Sequence, residues 1–160
     1  MEEAREKIKR LDEVSLITQG FKKRGKKVVT TNGCFDILHI GHVRNLQRAK
    51  SLGDILIVGV NADKSVRENK GKSRPIIPER ERAEVVAALK SVDYVFIFKD
   101  KTPNEWLKKI RPDLHVKGAD RRLSQIVELE TLREIGAKLV RVPLVKGKST
   151  SSVVNKIRNL

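Results

Sequence analysis

Hydrophobic and polar positions change their period repeatedly along the chain. Within 2–23, Leu11, Val14, Ile17 and Phe21 recur at helical spacing, which predicts one or two amphipathic helices. Residues 27–31 read as a strand closed by the turn pair Asn32-Gly33. A helix is expected over 42–52, with Val43, Leu46 and Ala49 on its inner face. The run DILIVGV at 54–60 is almost continuously apolar, the pattern of a parallel strand covered on both sides. A helix at 79–89, a strand at 94–98 and a helix from 102 follow; Thr102, Pro103 and Glu105 supply its cap, first-turn proline and capping-box acid. A strand at 114–116, a helix at 124–135, a strand at 138–142 and a helix from 150 complete the order. Five strands alternating with helices predict an α/β fold with a doubly wound parallel sheet. Ligands in such sheets bind beyond the carboxyl ends of the strands, where the strand order reverses. The strand-to-helix loops therefore carry the interest.

Composition narrows the class. With 160 residues the chain has the length of a single domain, and no repeat, low-complexity tract or linker divides it. Apolar residues make up 39% and charged residues 34%, a globular rather than a disordered balance. No apolar run reaches the ~20 residues that span a bilayer. The first ten residues are too charged for a secretory signal, and Cys34 is the only cysteine, so a cytoplasmic location is expected. Lys and Arg outnumber Asp and Glu by 35 to 20, giving +15 and implying an anionic partner. The excess is local: five cations in 22–27, seven against three acids in 64–82, and four with no acid in 146–158. Nucleic acid, an acidic membrane face and phosphorylated small molecules all suit such a field, although aromatic residues at 4% offer little stacking surface for single-stranded bases.

The loop after the first predicted strand holds the chemistry. It runs from Thr31 through Asn32, Gly33, Cys34, Phe35, Asp36, Ile37, Leu38, His39, Ile40 and Gly41 to His42, and a helix bearing Arg44 and Asn45 follows. Its glycines let backbone amides approach a ligand, and the helix start adds free N–H groups and a positive dipole end. Two histidines three apart can set two imidazole donors on one phosphate group, as nucleotidyl transfer requires. Zinc ligation, with Cys34 or Asp36 as the nearest further ligands, and ordinary helix-start histidines are the competing readings.

The segment GCFDILHIGH resembles the GxFDxxHxGH signature of the nucleotidyltransferases that share the HIGH motif with class I aminoacyl-tRNA synthetases. The stretches at 28–63 and 70–98, RPDLHVKGAD and VPLVKGKSTSSVV are similar to one branch, the D-glycero-β-D-manno-heptose 1-phosphate adenylyltransferases, and the likeness runs from about 27 to 157. It implies a Rossmann-like nucleotidyltransferase domain over 27–160, preceded by a helical extension over 1–26. It also implies transfer of the adenylyl group of ATP to a heptose 1-phosphate, giving pyrophosphate and ADP-heptose, a lipopolysaccharide core precursor. Mg²⁺ would arrive on the ATP, and a separate sugar kinase would supply the acceptor.

Placed on this sequence, the resemblance assigns His39 and His42 to the triphosphate and the leaving pyrophosphate, and Lys70 to the transferring phosphate. Gly33, Cys34, Phe35 and Gly41 would border the nucleotide, with Asp36 supporting the loop. Asn61 and Asp63 would shape the base and ribose pocket, and Arg82 would sit near the nucleotide. Ser149, Thr150 and Ser151 would cradle the β- and γ-phosphates, while Lys117, Gly118 and Asp120 would lie near the adenine or the acceptor phosphate. Simpler readings stand beside these: Lys70 as a solvated lysine, Arg82 paired with Glu79 or Glu81, and Ser149 as a plain N-cap. Ala119 and Arg121 replace residues usual in the branch. The stretch 144–151 lacks the arginine of the cytidylyltransferases, which favours ATP over CTP. FMN adenylyltransferases, glycerol-3-phosphate cytidylyltransferases and GDP-heptose-forming enzymes are the neighbouring alternatives, and a nucleic-acid-binding module is the alternative class. The amphipathic start of the chain is expected to form a dimer surface.

Overall fold

A computed structural model describes residues 4–119, 123–143 and 145–160. Five parallel strands form one sheet in the order β3-β2-β1-β4-β5. They are β1 (Val28–Gly33), β2 (Ile55–Asn61), β3 (Tyr94–Phe98), β4 (Leu114–Gly118) and β5 (Lys138–Val142). The chain builds outward from β1 in one direction to β3, then returns to place β4 on its other side. The order therefore reverses between β1 and β4, where Val29 pairs with Leu114 and Thr31 with Val116.

Among the described residues there are seven α-helices: α1 (Leu11–Lys23), α2 (Ile40–Lys50), α3 (Asp63–Lys70), α4 (Glu79–Ala87), α5 (Asn104–Ile110), α6 (Leu129–Ile135) and α7 (Thr150–Arg158). Side chains alternate across each strand, so Val28 and Ile57 face one core while Val29 and Val58 face the other. The first core joins Leu46, Ala49, Ala83 and Val86 of α2 and α4 to the sheet. The second joins Val14 of α1, Trp106, Leu107 and Ile110 of α5, and Leu132 of α6. Burial on both faces explains why β2 reads as an unbroken apolar run.

All five expected strands are present, and the helices differ at their edges. Helix α2 begins at Ile40 with His39 as its cap, two residues ahead of the expectation. Helix α5 begins at Asn104 with Pro103, not Thr102, in the cap position. The helix expected from 124 begins only at Leu129, after a single 3-10 turn at Leu123–Gln125. Helix α3 was not anticipated, because its sequence DKSVRENK has only one apolar residue, the buried Val66. In α1, Leu11, Val14 and Phe21 of the predicted apolar face pack into the second core. Among the described residues no helix is long and apolar enough to cross a membrane.

Candidate active site

At the carboxyl end of the sheet, beside the reversal point, a cleft of about 640 Å³ is bounded by the loops that follow β1, β2, β3, β4 and β5. The β1 loop enters it from Gly33 and turns at Phe35, whose φ of 49° places it in the left-handed region. A side chain on Gly33 would meet the Phe35 ring at 3.1 Å, so the ring lies close over the backbone there.

Two buried ionic groups hold this turn. The Asp36 carboxylate is 1% exposed and accepts from the amides of Ile76 and Ile77 at 2.8 and 2.9 Å and from the Arg74 guanidinium. Burial alone would raise its pKa; the amides and Arg74 outweigh that and keep the carboxyl below its ordinary range. Arg82, also 1% exposed, donates to the carbonyls of Ile77 (2.8 Å), Asn61 (2.8 Å) and Cys34, and to Asp63 Oδ1 at 2.7 Å. Its donors are all directed into the protein. Arg82 thus links the loops after β1 and β2 to α4 and does not line the cleft. The simpler reading of Arg82, a surface pairing with Glu79 or Glu81, is absent among the described residues, and the guanidinium pairs with Asp63 instead. That contact also takes Asp63 away from the cleft, leaving Asn61 as the lining residue at the end of β2.

The histidine pair is built from local capping. His39 Nδ1 accepts from the Gly41 amide at 3.1 Å, and His42 Nδ1 accepts from the His39 amide at 3.4 Å. A ring nitrogen that accepts from an amide carries no proton, so this pattern assigns the proton of each neutral ring to Nε2. The rings stack with centroids 3.8 Å apart, and Phe35 meets His42 edge-on at 5.2 Å. Burial, then the nearby His39, lowers the His42 pKa to about 4; burial and Lys148 lower that of His39. Both imidazoles are therefore neutral hydrogen-bond donors at pH 7. Gly41 is required here, since a Cβ would lie 2.8 Å from His39 Cε1 and Nδ1.

The start of α7 completes this side. Ser149 caps it by accepting from the Ser152 amide at 3.1 Å, and Thr150 donates to the Ile37 carbonyl at 3.3 Å, anchoring α7 to the β1 loop. The α2 and α7 N-termini both border the cleft with their positive dipole ends. Lys70 lies there at the end of α3, and Lys101 and Lys148 add further charge. On the β4 side, Lys117 donates to Asn32 Oδ1 at 2.9 Å and pairs with Glu128 Oε1 at 2.6 Å.

Of the residues singled out from sequence, the cleft brings together His39, His42, Lys70, Gly33, Cys34, Phe35, Asp36 and Gly41. Asn61, Lys117, Gly118, Ser149, Thr150 and Ser151 line it too. Asp63 and Arg82 do not, and Asp120 lies outside the described residues. Zinc ligation finds no support: among the described residues no three His, Cys, Asp or Glu side chains group as a metal site, and both Nδ1 atoms already accept from amides. Residues that sequence reasoning missed are Asn32, Asn45, Arg74, Lys101, Lys148 and Glu128. Lys148 was within reach as part of the quoted KGKST. Glu128 reads as one more charge on a predicted helix and carries no sequence signal.

A parallel sheet in this order, with two helix N-termini and a histidine pair at its reversal point, defines a Rossmann-like nucleotide-binding protein. The model of the cytidylyltransferase-like family matches residues 30–156, and the chain belongs to that family; it is a nucleotidyltransferase. It is 48% identical to the bifunctional protein HldE of Nitratiruptor sp. over 95% of its own length and 32% of the relative's. The HldE protein of Geotalea uraniireducens is 47% identical over 95% of the chain and 31% of the relative. The chain thus spans about a third of the length of these relatives. Among solved structures, a lipopolysaccharide core biosynthesis protein from Thermoplasma volcanium superposes with a TM-score of 0.64 at 31% identity. That match covers 78% of this chain and all of the other. A pantoate-beta-alanine ligase from Francisella tularensis shares the fold, with a TM-score of 0.63 at 16% identity over 96% of this chain and 78% of that one.

Proposed function

We propose that the chain transfers the adenylyl group of ATP to a heptose 1-phosphate, giving ADP-heptose and pyrophosphate. The observation that carries the phosphate chemistry is the stacked, neutral histidine pair, with both Nε2–H groups available in a cleft bordered by two helix N-termini. The acceptor rests on the resemblance of the motifs and on the likeness to HldE proteins and to the lipopolysaccharide core protein.

In this reading an ionised oxygen of the sugar 1-phosphate attacks the α-phosphorus in line. A new P–O bond forms, the bond to the β-phosphate oxygen breaks, and pyrophosphate leaves. The attacking oxygen is already ionised at pH 7, so the chain needs no nucleophile or general base. Its task is positioning and charge stabilisation. His39 and His42 donate to phosphate oxygens that gain charge during transfer, and Lys70 neutralises the transferring group. The amides of Thr150 and Ser151 at the start of α7 hold the distal phosphates. Asp36, through Arg74 and the amides of Ile76 and Ile77, and Arg82, through the Ile77 carbonyl, tie down the segment just after Lys70.

Mg²⁺ enters as the substrate's own counter-ion, bound to the triphosphate, whose charge it offsets. The described cleft suits that route, since its only carboxylates, Asp36 and Glu128, are each paired with a cation.

Pyrophosphate release measured with ATP, CTP and GTP in parallel, with Mg²⁺ and heptose 1-phosphate, tests the proposal. Release with ATP alone, dependent on the sugar, is expected. Release with only CTP or GTP would move the chain to a neighbouring branch. Silence in every tube from folded protein would remove the acceptor.

A further inference from the structure

The cleft is not uniformly basic. Lys70, Lys101 and Lys148 border it with no carboxylate partner among the described residues, and the histidine pair lies with them. Beside β4 the pattern is different. Lys117 is held between Asn32 Oδ1 and Glu128 Oε1, and Glu128 is itself only 2% exposed. Behind the carboxylate lies His115, fully buried, with Nε2 3.6 Å from Glu128 Oε1 and Nδ1 2.9 Å from the Thr30 hydroxyl.

An ion pair with a buried carboxylate and a half-buried ammonium contributes little net stability, because desolvation offsets the attraction. Stability alone therefore does not account for its place in a substrate cleft. We propose that Glu128 cancels the charge of Lys117 and fixes its ammonium, making the β4 side of the cleft a hydroxyl-recognising subsite for a sugar ring and directing phosphates to the His39–Lys148 side.

The chemistry follows from the donors left over. An ammonium has three N–H groups; Asn32 takes one of Lys117's, Glu128 Oε1 lies 2.6 Å away as its counter-ion, and the side chain lines the cleft where a ligand can meet it. A donor beside a carboxylate matches a hydroxyl, which both accepts and donates. A phosphate dianion only accepts, and it meets Glu128 as a like charge. Glu128 is thus a positioning residue acting through Lys117. Two sugars offer such hydroxyls, the ribose of the nucleotide and the acceptor sugar; only the second rests on the function proposed above.

Calorimetric binding to the full chain, which needs no turnover, tests this with Glu128→Gln and with the double variant Lys117→Gln/Glu128→Gln. Glu128→Gln uncovers the Lys117 charge, so pyrophosphate is expected to bind about tenfold tighter. In the double variant, which leaves no unpaired buried ion and guards against failure of the single variant to fold, pyrophosphate affinity should stay within twofold of the parent. A large loss of pyrophosphate affinity in the double variant would make Lys117 a phosphate ligand and overturn the proposal. So would unchanged or weaker pyrophosphate binding by folded Glu128→Gln.

The source of the hydroxyls is read in the double variant. If it is the ribose, the parent's preference for ATP over 2′,3′-dideoxy-ATP disappears. If it is the acceptor, heptose 1-phosphate binding weakens about tenfold and that preference stays. Movement of neither also overturns the subsite. Failure of heptose 1-phosphate to bind the parent chain would count against the proposed acceptor, while the pyrophosphate and ribose measurements still decide this one.

Discussion

Two loops flank the reversal point of the sheet, and they are built on different principles. The loop after β1 is organised by short-range contacts: His39 and His42 cap one helix turn, and Gly41 makes room for the His39 ring. The end of β4, beside the second loop, is organised by contacts between residues farther apart in sequence, with Lys117 bound to Asn32 and paired with Glu128, and His115 bound to Thr30. Local organisation sets the tautomer and charge of the histidine pair. Long-range organisation sets the charge of a wall. The first is legible as a motif, and the second is visible only once the chain is folded.

The largest effect that would test this contrast lies beneath the β1 loop. Arg82→Met leaves three carbonyls and Asp63 without their buried donor, and breaking a buried ion pair costs about 3–5 kcal/mol. Denaturant unfolding should show that loss, and activity should fall with it because the Cys34 and Asn61 backbones lose a shared anchor. A stability change under 1 kcal/mol would mean that Arg82 does not hold the loops together.

Next comes chemistry. His42→Ala should lower kcat by about 10²-fold or more, the scale of losing a main donor to a developing oxyanion, with the fold retained. Turnover within a few-fold of the parent would end the catalytic role of the pair.

The two loops also explain what could be read in advance. All five strands were legible as short segments between helical patterns, most plainly at 54–60, where burial on both faces makes β2 an almost continuous apolar run. The histidine pair was legible because glycine spacing and capping are local. Helix α3 was not, since only Val66 packs inward and its other positions are polar or charged. Arg82 was legible as important but not in its role: nothing in the chain around it shows that its partners are carbonyls 21 and 48 residues away. Glu128 was hidden for the same reason, its partner Lys117 lying on a strand.

A smaller effect separates capping from catalysis at α7. Ser149→Ala removes the side-chain acceptor for the Ser152 amide and should cost about 1 kcal/mol. If the α7 amides hold the distal phosphates, the KM for ATP should rise in parallel, and an unchanged KM would separate α7 from the triphosphate.

The last effect is in pH. Because the folded pKa of His42 lies near 4 against an ordinary 6.5, the folded chain binds fewer protons than the unfolded one in that window. Stability should therefore decline as pH falls from 6.5 to 4, while the rate should show no acid limb at 6.5. A limb at 6.5 that disappears in His42→Ala would show that the pair titrates normally.

The most direct test of the central claim is the imidazole nitrogen NMR spectrum of the chain, which has only three histidines. At pH 7, His39 and His42 should both be neutral with the proton on Nε2, and pyrophosphate should shift those two Nε2 signals while leaving both rings uncharged. Protons on Nδ1, a charged ring, or Nε2 signals that ignore saturating pyrophosphate would contradict the account.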